Sequence, residues 1–183
     1  MTIPNIMTLA RMALVPAFLI GVIYGWLYIS LAIFVAAALT DALDGYLARC
    51  LQQESQLGLY LDPLADKLLG TVAYVSLAVI GLIPAWLAIV ICFKDLFIGL
   101  GIAIIFFTGQ KPKVVPTLYG KGTTIMQVVT IGVALIWRVM GLDGPVLDIL
   151  FKITGGMTIL CGGHYIFKGF RQLDEGKKSV VSA

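Results

Sequence analysis

The chain has 183 residues, of which 60% are hydrophobic and 13% are charged, and its mean hydropathy is +0.99. A soluble domain usually carries about 25% charged residues, so this composition excludes an ordinary water-soluble protein and indicates a polytopic membrane protein. The formal net charge of +3 is modest, and we expect no nucleic-acid partner.

Six apolar segments are long enough to cross a membrane, which takes about 20 helical residues. The first three are predicted at about 4–24, 26–51 and 57–80. The fourth follows a Gly-Pro turn at 81–86 and ends near 108, the fifth covers about 119–140, and the sixth follows a turn at 141–145 and ends near 170. The sequence therefore predicts an all-α fold: one membrane domain over 1–183, with a polar tail from about 171.

Lys and Arg are concentrated in segments that six alternating spans would place on one side of the membrane. These segments are the N-terminus with Arg11, the turn with Arg49, the linker with Lys111 and Lys113, and the polar tail. By the positive-inside rule this side is cytoplasmic. We therefore expect an integral protein of the inner (cytoplasmic) membrane with both termini in the cytoplasm.

Four carboxylates interrupt the second and third spans. Asp41 and Asp44 are three residues apart, and Asp62 and Asp66 are four apart, so each pair shares a helix face. Both pairs lie at the cytoplasmic ends of consecutive antiparallel spans, where they can converge. Four converging carboxylates repel one another unless a divalent cation holds them, and all-oxygen ligands favour Mg²⁺, Mn²⁺ or Ca²⁺.

Two other interpretations compete with a metal centre. Arg49 and Lys67 could pair with the acids as interfacial salt bridges, although ionisable groups within a membrane are more often functional. A divalent-cation transporter or channel could line its path with the same acids. Such a path needs polar groups through the whole membrane, whereas the outer halves of spans two and three carry no acid.

Small residues accompany the acids. Gly45 directly follows Asp44, and Gly58 precedes Asp62 by one helical turn. Glycine on a helix face lets a flat group or another backbone approach closely. These positions predict either a ligand pocket or close helix packing.

The complete pattern resembles the signature of the CDP-alcohol phosphotransferases. It reads Asp41-x2-Asp44-Gly45-x2-Ala48-Arg49-x8-Gly58-x3-Asp62-x3-Asp66. The opening "NIMTLAR", the segment "GKGTTIMQ" and the six spans resemble the same family, so nearly the whole chain is covered. The resemblance implies an enzyme that cleaves the pyrophosphate of a CDP-linked donor, releases CMP and transfers the phosphoryl-linked group to an alcohol.

The resemblance also implies roles for individual residues. Mg²⁺ or Mn²⁺, as two ions, would be held by Asp41, Asp44, Asp62 and Asp66. Asp66 would in addition act as the catalytic base that deprotonates the acceptor hydroxyl. The CDP-binding positions would be Gly45, Ala48, Arg49, Gly58, Asn5, Thr8 and Arg11. Such enzymes are typically homodimers surrounded by membrane lipids, with the active site facing the cytoplasm.

The donor implied by the resemblance is CDP-diacylglycerol, and two acceptors compete. Glycerol 3-phosphate is the main prediction and would make the chain a phosphatidylglycerophosphate synthase; phosphatidylglycerol would make it a cardiolipin synthase. Lys94-Asp95 stands where the former enzymes commonly have Arg-Glu, and in this it resembles cardiolipin synthases. A phosphate-bearing acceptor needs cations, for which the predicted residues are Lys94, Lys111, Lys113 and Lys121.

Overall fold

A computed structural model shows six helices in the part of the chain that it describes. The helices are α1 (Ile3–Ile23), α2 (Leu27–Leu51), α3 (Gln56–Val79), α4 (Ala85–Phe107), α5 (Leu118–Val139) and α6 (Val146–Val181). The structure describes the backbone of residues 3–51, 56–107, 118–142 and 144–181, and the side chains of 9–41, 65, 67–101, 120–142 and 144–167. No strand occurs within these ranges, which confirms the all-α prediction for them.

The helix boundaries agree closely with the predicted spans, with one exception. The first five helices begin and end within about two residues of the predicted positions. The sixth helix is the exception, because α6 continues to Val181, beyond the predicted end of the span near 170. The extension from 171 to 181 is polar and contains no proline, and six of its eleven residues are Arg, Gln, Leu, Glu or Lys, which have high helix propensity.

Three tight turns join helices at one end of the bundle. Each begins with a left-handed glycine, at Gly25 (φ 74°), Gly81 (φ 76°) and Gly141 (φ 63°). In each case the glycine N–H and the next N–H bond back to carbonyls three and five residues earlier, as in Trp26 N–H to Gly21 O at 2.8 Å. This is the Schellman motif, which ends a helix where a residue without Cβ can adopt positive φ.

A hydrophobic core fills the end of the bundle nearest these turns. Helix α1 packs against α2 and α3, α4 packs against α3 and α6, and α5 contacts α2, α3 and α6. The core includes Phe18, Phe34, Leu77, Leu87 and Leu135, all of them buried. The polar side chains described below lie farther along the same helices, away from the turns.

The outer surface of the bundle is strongly apolar. Large apolar side chains are exposed along its helices, and examples are Val79, Leu160 and Phe167. Within the described side chains, two segments are long and apolar enough to cross a membrane, namely Gly120–Val139 and Val146–Phe167. A soluble monomer rarely exposes an apolar surface of this extent, so the surface fits contact with lipid.

Candidate active-site cavity

A cavity of about 460 Å³ lies among α1, α2, α3, α4 and α5. Its inner end is apolar, with Phe34, Tyr74, Ile91 and Ile131 in the wall. Its charged lining residues come from four helices and are Arg11, Asp41, Lys67, Lys94 and Asp95. Charged groups of both signs around one apolar-walled space are typical of a site for a polar, charged ligand.

One side of the cavity is formed by an ion pair between α1 and α2. Arg11 Nη1 lies 2.5 Å from Asp41 Oδ1; the Arg11 side chain is 0% exposed and the Asp41 side chain is 44% exposed. The carboxylate offsets the cost of burying the guanidinium and remains accessible from the cavity. The sequence suggests Arg49 and Lys67 as salt-bridge partners of the acids, whereas the structure pairs Asp41 with Arg11.

One of the four carboxylates predicted to bind a divalent metal, Asp41, has a described side chain in the cavity wall. The Arg11 contact occupies Oδ1 of Asp41, and the exposure of this side chain leaves it reachable by an ion in the cavity. Carboxylate oxygens are the ligands that Mg²⁺ and Mn²⁺ prefer. Within the described side chains no three His, Cys, Asp or Glu groups form a cluster. The side chains of Asp44, Asp62 and Asp66 lie outside that part, so the four-carboxylate centre stays a prediction.

The helix positions of these three residues can be compared with the cavity wall. On α2 the wall includes Ala37, Ala38 and Asp41, and the next positions on that helix face are 44, 45 and 48. On α3 the wall includes Gly70, and the preceding positions on its face are 66 and 62. The backbone positions of Asp44, Asp62 and Asp66 therefore follow the described wall residues along α2 and α3, on the side away from the turns.

A second ion pair lies on α4. Lys94 Nζ is 3.2 Å from Asp95 Oδ1, and the two side chains are 9% and 24% exposed. Lys94 Nζ also lies 3.5 Å from Gln127 Oε1 on α5. Lys94 therefore contributes a largely buried cation to the cavity wall, and its role toward an acceptor stays a prediction.

The other predicted site residues divide into two groups. Lys121 is exposed on α5 and is not among the described residues that line the cavity. The second group lies outside the described side chains or backbone, so the roles of its members stay predictions: Asn5, Thr8, Gly45, Ala48, Arg49, Gly58, Lys111 and Lys113.

Sequence reasoning missed a chain of polar side chains behind Lys94. Gln127 Nε2 lies 3.0 Å from Thr158 Oγ1 on α6. The Tyr74 hydroxyl donates to the backbone carbonyl of Gln127 at 2.9 Å. Both Gln127 and Thr158 are buried. A buried amide in an otherwise apolar span is the signal that could have identified Gln127.

The cavity is closed toward the turn end of the bundle. There the buried residues are mainly apolar and come from all six helices, as in the core that contains Phe18, Leu77 and Leu135. A permeation path requires polar groups along its whole length. In the described residues the arrangement therefore favours a blind substrate pocket over the transporter or channel alternative.

Comparison with known proteins gives a consistent result. A family model described as CDP-alcohol phosphatidyltransferase matches residues 1–160. A Drosophila melanogaster protein named a probable cardiolipin synthase (CMP-forming) is 35% identical over 91% of this chain, which spans 57% of that protein.

The chain spans a larger part of two bacterial relatives than of the Drosophila melanogaster protein. A Mycobacterium tuberculosis protein named a probable phosphatidylglycerophosphate synthase is 30% identical over 92% of this chain and 82% of its own length. The Bacillus subtilis CDP-diacylglycerol–glycerol-3-phosphate 3-phosphatidyltransferase is 30% identical over 93% of this chain and 96% of its own length.

Proposed function

Because this chain belongs to the CDP-alcohol phosphatidyltransferase family, we propose that it transfers the phosphatidyl group of CDP-diacylglycerol to glycerol 3-phosphate. The acceptor hydroxyl oxygen attacks the phosphorus that carries diacylglycerol, and the bond from that phosphorus to the bridging oxygen of CMP breaks. CMP leaves with the bridging oxygen, and phosphatidylglycerophosphate is formed. The observation that supports this proposal is that Asp41 on α2 and Lys94 on α4 line the same cavity.

The carboxylate side of the cavity would serve the donor. Asp41, Asp44, Asp62 and Asp66 would hold two Mg²⁺ or Mn²⁺ ions, with Arg11 keeping Asp41 in place. When bound, these ions would neutralise the pyrophosphate oxygens and make CMP a better leaving group. Asp66 would accept the proton of the attacking hydroxyl. Cytidine would lie along Gly45, Ala48 and Gly58, beside Arg49 and near Asn5 and Thr8.

The cationic side of the cavity would serve the acceptor. The ammonium of Lys94 is largely buried, where its attraction for a phosphate is less screened by water than at the surface. Glycerol 3-phosphate carries a phosphate monoester that this cation can neutralise. Lys111, Lys113 and Lys121 would act nearer the cavity mouth. The Bacillus subtilis relative, whose name specifies this acceptor, agrees with the proposal.

Cardiolipin synthesis is the second candidate, with phosphatidylglycerol as the acceptor. The Lys94-Asp95 pair favours it, because Asp95 neutralises part of the charge available for a monoester. The Drosophila melanogaster relative carries this activity in its name. The two candidates share the donor, the carboxylates and the release of CMP, and they differ in the charge of the acceptor.

The proposal includes an arrangement in the membrane. The chain would form one domain of six spans in the cytoplasmic membrane, with both termini and the cavity mouth at the cytoplasmic face. Two segments already meet the length and hydropathy that a span needs. Two copies would associate as a homodimer, as the resemblance to the family implies.

CMP release tests the proposal. Purified protein in nanodiscs is given CDP-diacylglycerol with glycerol 3-phosphate, with phosphatidylglycerol or with no acceptor, each with Mg²⁺, Mn²⁺ or EDTA. With glycerol 3-phosphate we expect release of CMP and formation of phosphatidylglycerophosphate. Both products should be absent when EDTA replaces the metal ion. Release with phosphatidylglycerol alone would establish the second candidate, and no release with either acceptor would reject both.

A further inference from the structure

Lys94 is held by groups from three helices. Asp95 on its own helix contacts the ammonium at 3.2 Å, and Gln127 on α5 contacts it at 3.5 Å. The aliphatic part packs on α6, where a methyl group added to Gly162 would lie 3.4 Å from Lys94 Cγ. A lysine has four side-chain torsions, and contacts along its stem and at its head both restrict them.

The direction of the hydrogen bonds behind Lys94 follows from donor counting. The Thr158 hydroxyl has one hydrogen, and it donates this hydrogen to the Thr154 carbonyl at 2.7 Å. It must then accept from Gln127, so the group 3.0 Å away is the amide nitrogen Nε2. The amide oxygen Oε1 is thereby turned toward Lys94. Thr158 fixes the side of Gln127 that the lysine meets.

The two acceptors around the ammonium differ in their effect on its charge. Asp95 is an anion and cancels positive charge, whereas the Gln127 amide orients the ammonium without cancelling it. A lysine ammonium has three N–H donors, and these contacts use two of them. A third donor can therefore bind a phosphate oxygen in the cavity.

We propose that Gln127 and Thr158 are positioning residues for the acceptor, which act through Lys94 to hold its ammonium toward the acceptor's phosphate monoester. This inference rests on the proposed function and adds α5 and α6 to the acceptor site. Neither residue needs to contact the substrate. Their loss should weaken acceptor binding and leave the donor and the chemical step nearly unchanged.

The decisive variant is Thr158→Val, which keeps the side-chain shape and removes the acceptor for Gln127 Nε2. We expect the KM for glycerol 3-phosphate to rise about 3- to 10-fold, the effect of one lost neutral hydrogen bond, with kcat and the KM for CDP-diacylglycerol within about 2-fold. Thr158→Ser should restore the wild-type KM. Gln127→Glu should raise the KM as well, because it adds a second anion beside Lys94.

Thr130→Val is the matched control. Thr130 is also buried between α5 and α6, 2.7 Å from Thr154 Oγ1, but has no contact with Lys94 among those described. It should lower thermal stability about as much as Thr158→Val does and leave the acceptor KM unchanged.

Three outcomes would overturn the inference. An unchanged KM in Thr158→Val would do so, as would an equal rise in Thr130→Val or a failure of Thr158→Ser to restore the wild-type value. Normal wild-type kinetics in the same assays would leave the proposed function standing. Absence of CMP release from wild-type protein with either acceptor would instead reject the proposed function and the inference together.

Discussion

The two ion pairs of the cavity each have a cation that is more buried than its partner, but they differ in how that cation is held. Arg11 and Asp41 come from different helices; the cation is 0% exposed and the anion is 44% exposed. Lys94 and Asp95 are neighbours on α4 and are 9% and 24% exposed, and Lys94 also contacts the neutral amide of Gln127 on α5. All four ionic side chains line the cavity, and the proposed function assigns Asp41 to the metal and Lys94 to the acceptor.

Under the proposed function, this difference divides the cavity into a carboxylate half for the donor and a cationic half for the acceptor. The fully buried guanidinium of Arg11 holds the Asp41 carboxylate in one position, as the partners of a metal ligand do. A lysine whose second contact is a neutral amide keeps part of its charge for an incoming anion. The comparison predicts that variants of the first pair affect metal binding and turnover, and that variants of the second affect acceptor affinity.

Asp41→Asn should have the largest effect. Loss of a metal-ligating carboxylate should lower turnover at least about 100-fold, the upper end of the effect of outer-shell partners. CMP release is the measurement, and Asp148→Asn in the first turn of α6 is the control because that residue lies outside the described cavity wall.

The Asp41 variant also removes the carboxylate beside a buried guanidinium, so the fold is destabilised as well. Thermal unfolding in detergent separates this loss from the catalytic one. Folded Asp41→Asn protein with turnover close to wild type would contradict the role of this half of the cavity.

Arg11→Lys should have the next largest effect. It keeps the charge but loses the planar, forked geometry with which arginine holds a carboxylate. Activity should fall about 10- to 100-fold, as for other residues that orient a metal ligand, and the Mg²⁺ concentration for half-maximal activity should rise. Titration with Mg²⁺ at saturating CDP-diacylglycerol measures this.

The Arg11 experiment can also contradict the assignment of Arg11 to the metal side of the cavity. A raised KM for CDP-diacylglycerol with an unchanged Mg²⁺ requirement would place Arg11 against the donor, as the resemblance to the family implies. Arg138→Lys is a suitable control, because Arg138 lies in the last turn of α5, near the opposite end of the bundle.

The positions of the helices were predictable from the sequence, whereas the partners in the Arg11–Asp41 ion pair were not. Hydropathy and the Gly-Pro turns located the helices well, because each turn needs a residue that tolerates positive φ and each span needs an apolar run. The helical continuation of α6 to Val181 was not predicted, because hydropathy locates the apolar span and does not register a polar helix that follows it.

The site was predictable where it depended on spacing within a helix. The positions of Asp41 and Lys94 could be proposed from an acid or a cation in an apolar span. The Arg11–Asp41 pair and the Gln127–Thr158 bond could not, because each depends on how two consecutive helices are rotated and packed against each other.

Lys94→Met tests the cationic half of the cavity. The variant keeps the length of the side chain and removes the ammonium, so the KM for glycerol 3-phosphate should rise about 10-fold or more, the range for a hydrogen bond to a charged group. Lys152→Met is the matched control, since Lys152 is exposed on α6 and does not line the described cavity. Equal effects in both variants would show that the buried position of Lys94 gives it no special role.

Two glycines of α6 should give the smallest effects and show whether the packing beside Lys94 is rigid. A Cβ at Gly155 would lie 2.5 Å from an atom of the Trp86 ring, whereas a Cβ at Gly162 would lie 3.4 Å from the flexible stem of Lys94. Gly155→Ala forces a ring to move and should cost about 1–3 kcal/mol in the free energy of unfolding. Gly162→Ala should be nearly neutral in that free energy, since the helix propensity of alanine offsets the tighter contact.

Unfolding in detergent and the acceptor KM are measured for both glycine variants, with Gly156→Ala as a control whose added methyl group meets nothing within 4 Å. Gly162→Ala should change the KM by less than about 2-fold, because the lysine stem can shift while Asp95 and Gln127 keep its head in place. A large rise in KM in this variant alone would mean that the close approach of α6, rather than the bonds at the ammonium, positions Lys94. The cationic half of the cavity would then depend on helix packing, as the Arg11–Asp41 half does.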